Sequence, residues 1–290
     1  MAEPLPPSRP EIVRRPVADA APAVAARPLP LARRLADNEA LRKLLIVAAL
    51  VAIWQAYAEW NDNPLVFPTF VATLAALRDA VVDGALVTQT LYSLRMLLEG
   101  YAVGIALATL LSVLAARTRL GGDLLDTLTA MFSPLPAIAL LPLALLWFGL
   151  GRGSLIFVLV HSVMWPVSLN MHSGFRGVSP VLRMVGANYG LSGLAYVRLI
   201  LLPAAFPSIL AGLKIGWAFA WRTLIAAELV FGVSSGSGGL GWFIYANKNT
   251  LEIPSVFAGL LTVILIGLAV ENLIFRTIEH RTVRRWGMQT

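Results

Sequence analysis

Two glycine-rich patterns near residue 236 have spacings that can serve chemistry. Gly236-Ser-Gly-Gly-Leu-Gly241 satisfies Gly-x-Gly-x-x-Gly, in which backbone amides approach a pyrophosphate. Gly232-Val-Ser-Ser-Gly236 satisfies the arrangement that presents a nucleophilic serine on a tight turn, with Ser234 or Ser235 as the nucleophile. Both patterns need a strand before them and a helix after them, and a long apolar run precedes them instead. The segment reads as a flexible outer loop, and an intramembrane serine hydrolase is the alternative function it leaves open. The three lysines are followed by Leu44, Ile215 and Asn249, so no Gly-Lys-Ser/Thr phosphate loop exists. There is no cysteine, and His161, His172 and His280 have no second ligand at helical spacing, so no metal site is expected. No catalytic residue is assigned.

Arg222 and Glu228 are the charges placed where charge is costly. Arg222 lies near the middle of an apolar run, about 4 Å from the bilayer centre at 1.5 Å rise per residue. A cation there costs at least about 2.5 kcal/mol on insertion scales, so it must face protein or a water-filled path. Two readings stand. Arg222 forms a buried pair with Glu228 or Glu271 or caps carbonyls freed by a proline, or its planar fork meets a passing oxyanion. Glu228 joins it as a candidate for the substrate pathway. Gly212, Gly216 and Ala220 recur every four residues on the same run and form a small-residue face suited to close helix packing.

The elements that position these residues follow from composition. Of 290 residues, 58% are hydrophobic and only 13% charged, with a mean hydropathy of +0.74. An ordinary soluble domain carries about 25% charge, so this is an all-α polytopic membrane protein. Apolar runs of spanning length are Leu44 to Trp60, Gly100 to Ala116 with a start as early as Leu91, Leu128 to Phe148, Leu155 to Met171, Ile209 to Val230 and Val256 to Phe275. These make six transmembrane helices, the third interrupted by Pro134, Pro136 and Pro142 and the least regular. Residues 1–43 form a flexible Pro/Arg-rich tail and lead-in, and 44–290 form the membrane domain.

The net charge of +7 comes from 20 Arg and 3 Lys. With the N-terminus inside, the inner segments hold 17 of these and the outer ones only Arg78, Arg152 and Lys248. That places both termini in the cytoplasm. Residues 173–207 then form a cytoplasmic loop. A short helix begins after Pro180 and stops at Gly190, following the proline-start, glycine-stop asymmetry. A second helix, from about Gly193 to Leu202, stops before Pro203. The first of these, around Arg183, Met184, Val185, Gly186, Ala187, Asn188, Tyr189, Gly190 and Leu191, has the shape of an element that docks on a partner.

This loop resembles the EAA loop of ABC-importer permeases in the spacing from Gly190 to Leu202-Pro203 and in Pro203-Ala-Ala-Phe-Pro207. Further matches are similar to the nitrate/sulfonate/taurine branch: Leu65-Val-Phe-Pro68, Ser93-Leu-Arg95 with Gly100, Leu135-Pro-Ala-Ile-Ala-Leu-Leu-Pro142 and Phe148-Gly-Leu-Gly151. Ala227-Glu228, Gly239-Leu-Gly241 and Arg284-Arg-Trp286 complete the set. Met184-Val185-Gly186 stands where the family has Glu-Ala-Ala, so the acidic residue is missing here. The resemblance implies the type I importer permease fold and a non-enzymatic subunit in a bacterial inner membrane. It implies passage of a small anion, such as nitrate, a sulfonate, taurine or a related organic acid, delivered by a periplasmic binding protein. It also implies two cytoplasmic ABC ATPases that carry the ATP and Mg, with the helix around Arg183 to Leu191 as the coupling element. Six helices are few for enclosing a pore, so a second permease chain, making a homodimer, is expected. Lipid is the surrounding partner, and nucleic acid is not one.

Overall fold

A computed structural model describes residues 38–235 and 238–285, apart from the side chains of 231–235 and Arg284. The expected tail up to Asp37, Gly236 and Trp286 lie outside the described residues. Every regular element among the described residues is helical, as an apolar environment demands of a backbone that must satisfy its own polar groups. Among the described residues five helices are long and apolar enough to cross a membrane, and a bent pair brings the number to six if its halves make one span.

Contacts divide the chain between Ile53 and Trp54. Helix α1, Glu39–Asn61, runs through this division. Its first turn is capped by the Asn38 side chain, which accepts from the amides of Ala40 and Leu41. Lys43 pairs with Glu39 one turn earlier. Leu44, Leu45, Ile46, Leu50 and Ile53 are exposed around this stretch, the surface of a helix bathed by apolar surroundings.

From Trp54 onward the second unit begins. Trp54 donates to the carbonyl of Pro68 and packs against Phe67, Phe70 and Phe257. Helix α2, Phe70–Val82, is capped by Thr69. Helix α3, Ala85–Arg117, is the second span and extends beyond the expected start at Leu91 to Ala85. Helix α4, Arg119–Phe132, and α5, Leu141–Phe148, share the third span. A single 3-10 turn, Ala137–Leu140, leads into α5. Pro134 and Pro136 cannot donate backbone hydrogen bonds, and the two halves, Arg119–Phe132 and Ala137–Phe148, meet at 86°.

Helix α6, Arg152–Arg176, is the fourth span, with Pro166 inside it. It is the buried axis of the unit and packs along both α3 and α9, Phe206–Ser235. The approach is close because glycines face it. A Cβ on Gly100 would lie 2.5 Å from Leu159 Cβ, and one on Gly104 would lie 2.7 Å from Val163 Cβ. On the other side, a Cβ on Gly212 would lie 2.8 Å from Asn170 Cβ, and one on Gly216 would lie 3.1 Å from Val167. Ala220 is fully buried on the same helix. The sequence reading named the α9 stripe but not Gly100, Gly104, Ala108 and Ser112 of α3, which are also buried at four-residue spacing.

Between the fourth and fifth spans lie α7, Pro180–Asn188, and α8, Gly193–Ala204. Helix α8 does not end before Pro203. A wide π turn, Val197–Leu201, precedes the proline and makes room for its ring, so the helix runs on to Ala204. Helix α10, Leu240–Asn249, follows the fifth span, and α11, Ile253–Val283, is the sixth. The expected flexible outer loop is corrected here for its described part. Gly239 to Gly241 is buried and opens a packed helix, with Leu240, Phe243 and Ile244 in the core.

Candidate functional site

Helix α7 is fixed at both ends by local chemistry. Pro180 fills its first position, and the Ser179 hydroxyl accepts from the Leu182 amide. At the other end Gly190 adopts a left-handed φ of +69°. The Leu191 amide donates to Gly186, and the Gly190 amide donates to Ala187. This is the Schellman closure, which favours glycine because a left-handed residue with a Cβ is strained. Arg183, though exposed, reaches back to α6. Its guanidinium donates to the carbonyls of Phe175, Val178 and Arg176 and so caps the end of α6. Gly186 is turned inward, where a Cβ would meet the Tyr196 ring at 3.1 Å.

The opposite face is apolar and open. Tyr189 is 81% exposed and Met184 58%, with Val181 and Val185 beside them. An exposed apolar cluster of this kind on a rigidly held short helix marks a surface that meets another protein or the membrane. Of the nine residues expected to form the docking helix, Met184, Val185 and Tyr189 are thus on the outer face, while Arg183 and Gly186 hold the helix to its base.

Arg222 and Glu228 do not come together. Glu228 is 2% exposed, and its carboxylate accepts from Ser93 at 2.7 and 2.8 Å and from the Gly241 amide at 2.8 Å. Ser93 accepts in turn from the Leu240 amide at 2.7 Å. The carboxylate therefore takes the Gly241 amide directly and the Leu240 amide through Ser93, at the start of α10, where a helix favours negative charge. Gly239 and Gly241 permit this approach. A Cβ on Gly239 would collide with Glu228 and Ser93, and one on Gly241 would lie 2.6 Å from Glu228 Cβ. Three fragments far apart in the chain, Ser93-Leu-Arg95, Ala227-Glu228 and Gly239-Leu-Gly241, meet in this one latch between α3, α9 and α10.

Glu271, the other acid considered for Arg222, lies 3.7 Å from Lys214, which is 2.7 Å from Glu279. The expected ion pair of Arg222 is therefore not formed, and Arg222 has no ion pair or hydrogen bond among the described residues. It borders an open groove of about 470 Å3 between the α4–α5 break, α6 and α9, and is itself exposed. Pro134 and Ile138 line it from the break, His161 and Trp165 from α6, and Phe219 and Arg222 from α9. No Asp or Glu lines it. Trp165 stacks on Phe132 at 5.4 Å, and His161 meets its edge at 5.9 Å. Sequence reasoning missed His161 and Trp165. Their spacing of four residues on one helix face was the available signal, but a His and a Trp at that spacing are usual in a core.

No group of three His, Asp or Glu residues able to hold a metal occurs among the described residues. The side chains of Ser234 and Ser235, which carried the hydrolase alternative, lie outside them.

Comparison with known proteins places this architecture. Residues 101–284 match the family described as the binding-protein-dependent transport system inner membrane component. An ABC transporter permease protein of Methanocaldococcus jannaschii, MJ0413, is 31% identical over 243 residues, covering 82% of this chain and 90% of its own. A protein of Bacillus subtilis named as an aliphatic sulfonates transport permease, SsuC, is 27% identical over 84% of this chain and 87% of its own. The nitrate import permease protein NrtB of Synechocystis is 28% identical over 81% of this chain and 86% of its own. A crystal structure of an amino acid ABC transporter with histidines superposes with a TM-score of 0.54 over 72% of this chain and 97% of its own, at 15% identity, a likeness of fold. With six candidate spans of this fold and these relatives, the chain belongs to the binding-protein-dependent transport inner membrane family, as the non-enzymatic, multi-pass permease subunit of an ABC importer.

Proposed function

We propose that this permease imports a small oxyanion, driven by ATP hydrolysis on two separate ABC ATPases that dock on the open face of α7. The observation that carries this reading is the pairing of a rigid base with an exposed apolar face. Arg183 ties α7 to the end of α6 and the Schellman closure fixes where α7 stops, while Met184 and Tyr189 point away from the protein. A lever needs both features, because a loose helix would absorb motion that a fixed one transmits. The missing family glutamate, replaced by Met184, makes the contact apolar, which an adaptable methionine suits. The ATP and Mg belong to the ATPases.

In this reading residues 1–43 are a cytoplasmic tail and lead-in, 44–290 the permease domain and 173–207 its cytoplasmic coupling loop. The 17-to-3 imbalance of Lys and Arg supports cytoplasmic termini. A second copy of the chain completes the pathway, and a periplasmic binding protein delivers the substrate. Sulfonates, taurine and nitrate are the substrate classes, supported by the relatives' names and by Arg222, whose fork matches an oxyanion and which has no partner among the described residues. Glu228 leaves the pathway in this reading, since its carboxylate is committed to the latch.

The test is ATP-dependent uptake into proteoliposomes holding the permease, its ATPases and its binding protein, with labelled taurine, methanesulfonate and nitrate offered in turn. Uptake of at least one that stops without ATP is expected. A correctly assembled complex that takes up none of them overturns the proposal.

A further inference from the structure

On the side of the protein that carries α7, the ends of α3 and α6 and the start of α4 surround an open pocket of about 380 Å3. Arg117 and Arg119 line it from the turn between α3 and α4, Arg176 from the end of α6 and Arg183 from α7. Asp123 and Asp126 of α4 are the carboxylates in its wall. Arg183 is committed to the α6 carbonyls, and Asp126 stands 4.0 Å from Arg176 and 3.9 Å from His172. The side chains of Arg117, Arg119 and Asp123 are exposed and form no hydrogen bond or ion pair among the described residues. Arg119 and Asp123 stand four residues apart on α4, the spacing at which opposite charges pair, yet they do not pair. Thr118 already occupies the Gly121 amide, so side chains rather than the helix end make this site. Two unpaired guanidiniums and one unpaired carboxylate in one pocket complement a zwitterion better than a simple anion.

The pocket stands at the depth of lipid phosphates. Helix α6 has 25 residues, about 38 Å at 1.5 Å rise per residue. That exceeds the roughly 30 Å hydrocarbon core and falls short of the roughly 40–45 Å that includes the head groups. Arg176, its last residue, therefore lies in the head-group layer. Beside the pocket α4 turns an apolar stripe outward: Leu120 is 79% exposed and Met131 64%, with Leu124 between them. At about 100° per residue these three lie within about 40° of one another, and Arg119 and Asp123 lie on the adjoining face. A soluble phosphate would use none of this stripe. A lipid with its head in the pocket would lay a chain along it.

We propose that this pocket binds a phospholipid with an amine-bearing head group, of the phosphatidylethanolamine type. Arg117 and Arg119 take the phosphate, which guanidinium forks match, and Asp123 takes the ammonium. Leu120, Leu124 and Met131 support an acyl chain. Arg183 lines the same pocket, and a Cβ on Gly193 would lie 3.9 Å from the Arg117 guanidinium. The bound lipid thus braces the base of α7 and the start of α8. The site is separate from the solute pathway, and its test does not depend on which solute is carried.

Native mass spectrometry of the detergent-purified permease–ATPase complex tests this, with phosphatidylethanolamine, phosphatidylcholine and phosphatidylglycerol added in turn. A saturable phosphatidylethanolamine adduct is expected, retained at collision energies that strip the other two. The double variant Arg117→Gln/Arg119→Gln should weaken retention on the order of tenfold, as expected for loss of charge-assisted hydrogen bonds to phosphate. Asp123→Asn should keep binding and lose the preference for the ethanolamine head, a change that a merely structural role would not produce. Arg198→Gln, exposed on α8 outside the pocket, should leave retention unchanged. Leu124→Ser should lower retention and leave the number of subunits unchanged. Co-elution of each variant with the ATPases checks folding. Equal retention of all three lipids, or unchanged retention in the double variant, overturns the proposal. Displacement of the lipid by inorganic phosphate or phosphoethanolamine would overturn it in favour of a soluble phosphate. Loss of a permease copy in Leu124→Ser would overturn it by assigning the stripe to a contact between chains.

Discussion

Ser93 is a small residue with an outsized position. Its hydroxyl donates to both oxygens of Glu228 and accepts from Leu240, so its proton and a lone pair are both in use. Removing it leaves a buried carboxylate with the Gly241 amide as its remaining donor. Ser93→Ala is expected to destabilise the permease by about 1–3 kcal/mol, the cost of an unmet buried polar group. Thermal unfolding of the detergent-solubilised protein measures this, and an unchanged midpoint would show that water replaces the hydroxyl. The latch was only partly legible in the sequence. Each of its fragments was visible as a short motif, but Ser93 and Glu228 are 135 residues apart, and no local pattern says that they touch. Arg222 shows the converse. Its placement inside a span was clear from hydropathy, whereas its lack of a partner depends on where Glu228 and Glu271 go.

Helices in this protein pack by bringing backbones close. Gly100 and Gly104 receive Leu159 and Val163, and Gly212 receives Asn170 and the Pro166 carbonyl. A side chain at Gly212 therefore meets another residue's backbone, which cannot step aside. Gly212→Val should cost about 1–3 kcal/mol or more by overpacking and should lower the yield of folded protein on size exclusion. Gly190→Val, at φ +69°, tests a different cost at the element scale, namely strain with open space around it. The outer face of α7 calls for the opposite experiment. Met184→Asp and Tyr189→Asp lie on exposed positions and should fold normally. Under the coupling proposal they should reduce substrate-stimulated ATP hydrolysis by a factor on the order of ten, because an unpaired charge enters an apolar contact. ATPase assays on the assembled complex decide this, and full stimulation in both variants removes α7 as the docking element.

At the largest scale, α6 is the packing centre of the unit that begins at Trp54. Residues before Leu31 contain eight prolines and little apolar surface to offset the entropy of ordering. Deleting residues 1–30 is expected to leave membrane level and uptake within about twofold of the parent, since composition assigns the segment no packing role. Uptake per assembled complex measures this, and its abolition at normal membrane level would reveal a function in the tail.

The sequence by itself determined what depends on neighbours along the chain. Runs of about 20 apolar residues made the spans countable. Pro134 and Pro136 located the break, because a missing N–H acts within one turn. Pro180 and Gly190 marked both ends of α7, the proline by a φ already set for a first turn and the glycine by the left-handed φ that closes the helix. Only the tertiary structure decided what depends on meetings across the fold. It turned Arg183 from a candidate contact into a cap on α6, placed Glu228 under α10, buried Gly239 to Gly241, and joined His161 and Trp165 to Arg222 along one groove. These outcomes are set by which helices lie side by side and at what separation. In an all-helical membrane protein that choice rests on small side chains, which composition makes common everywhere along the chain.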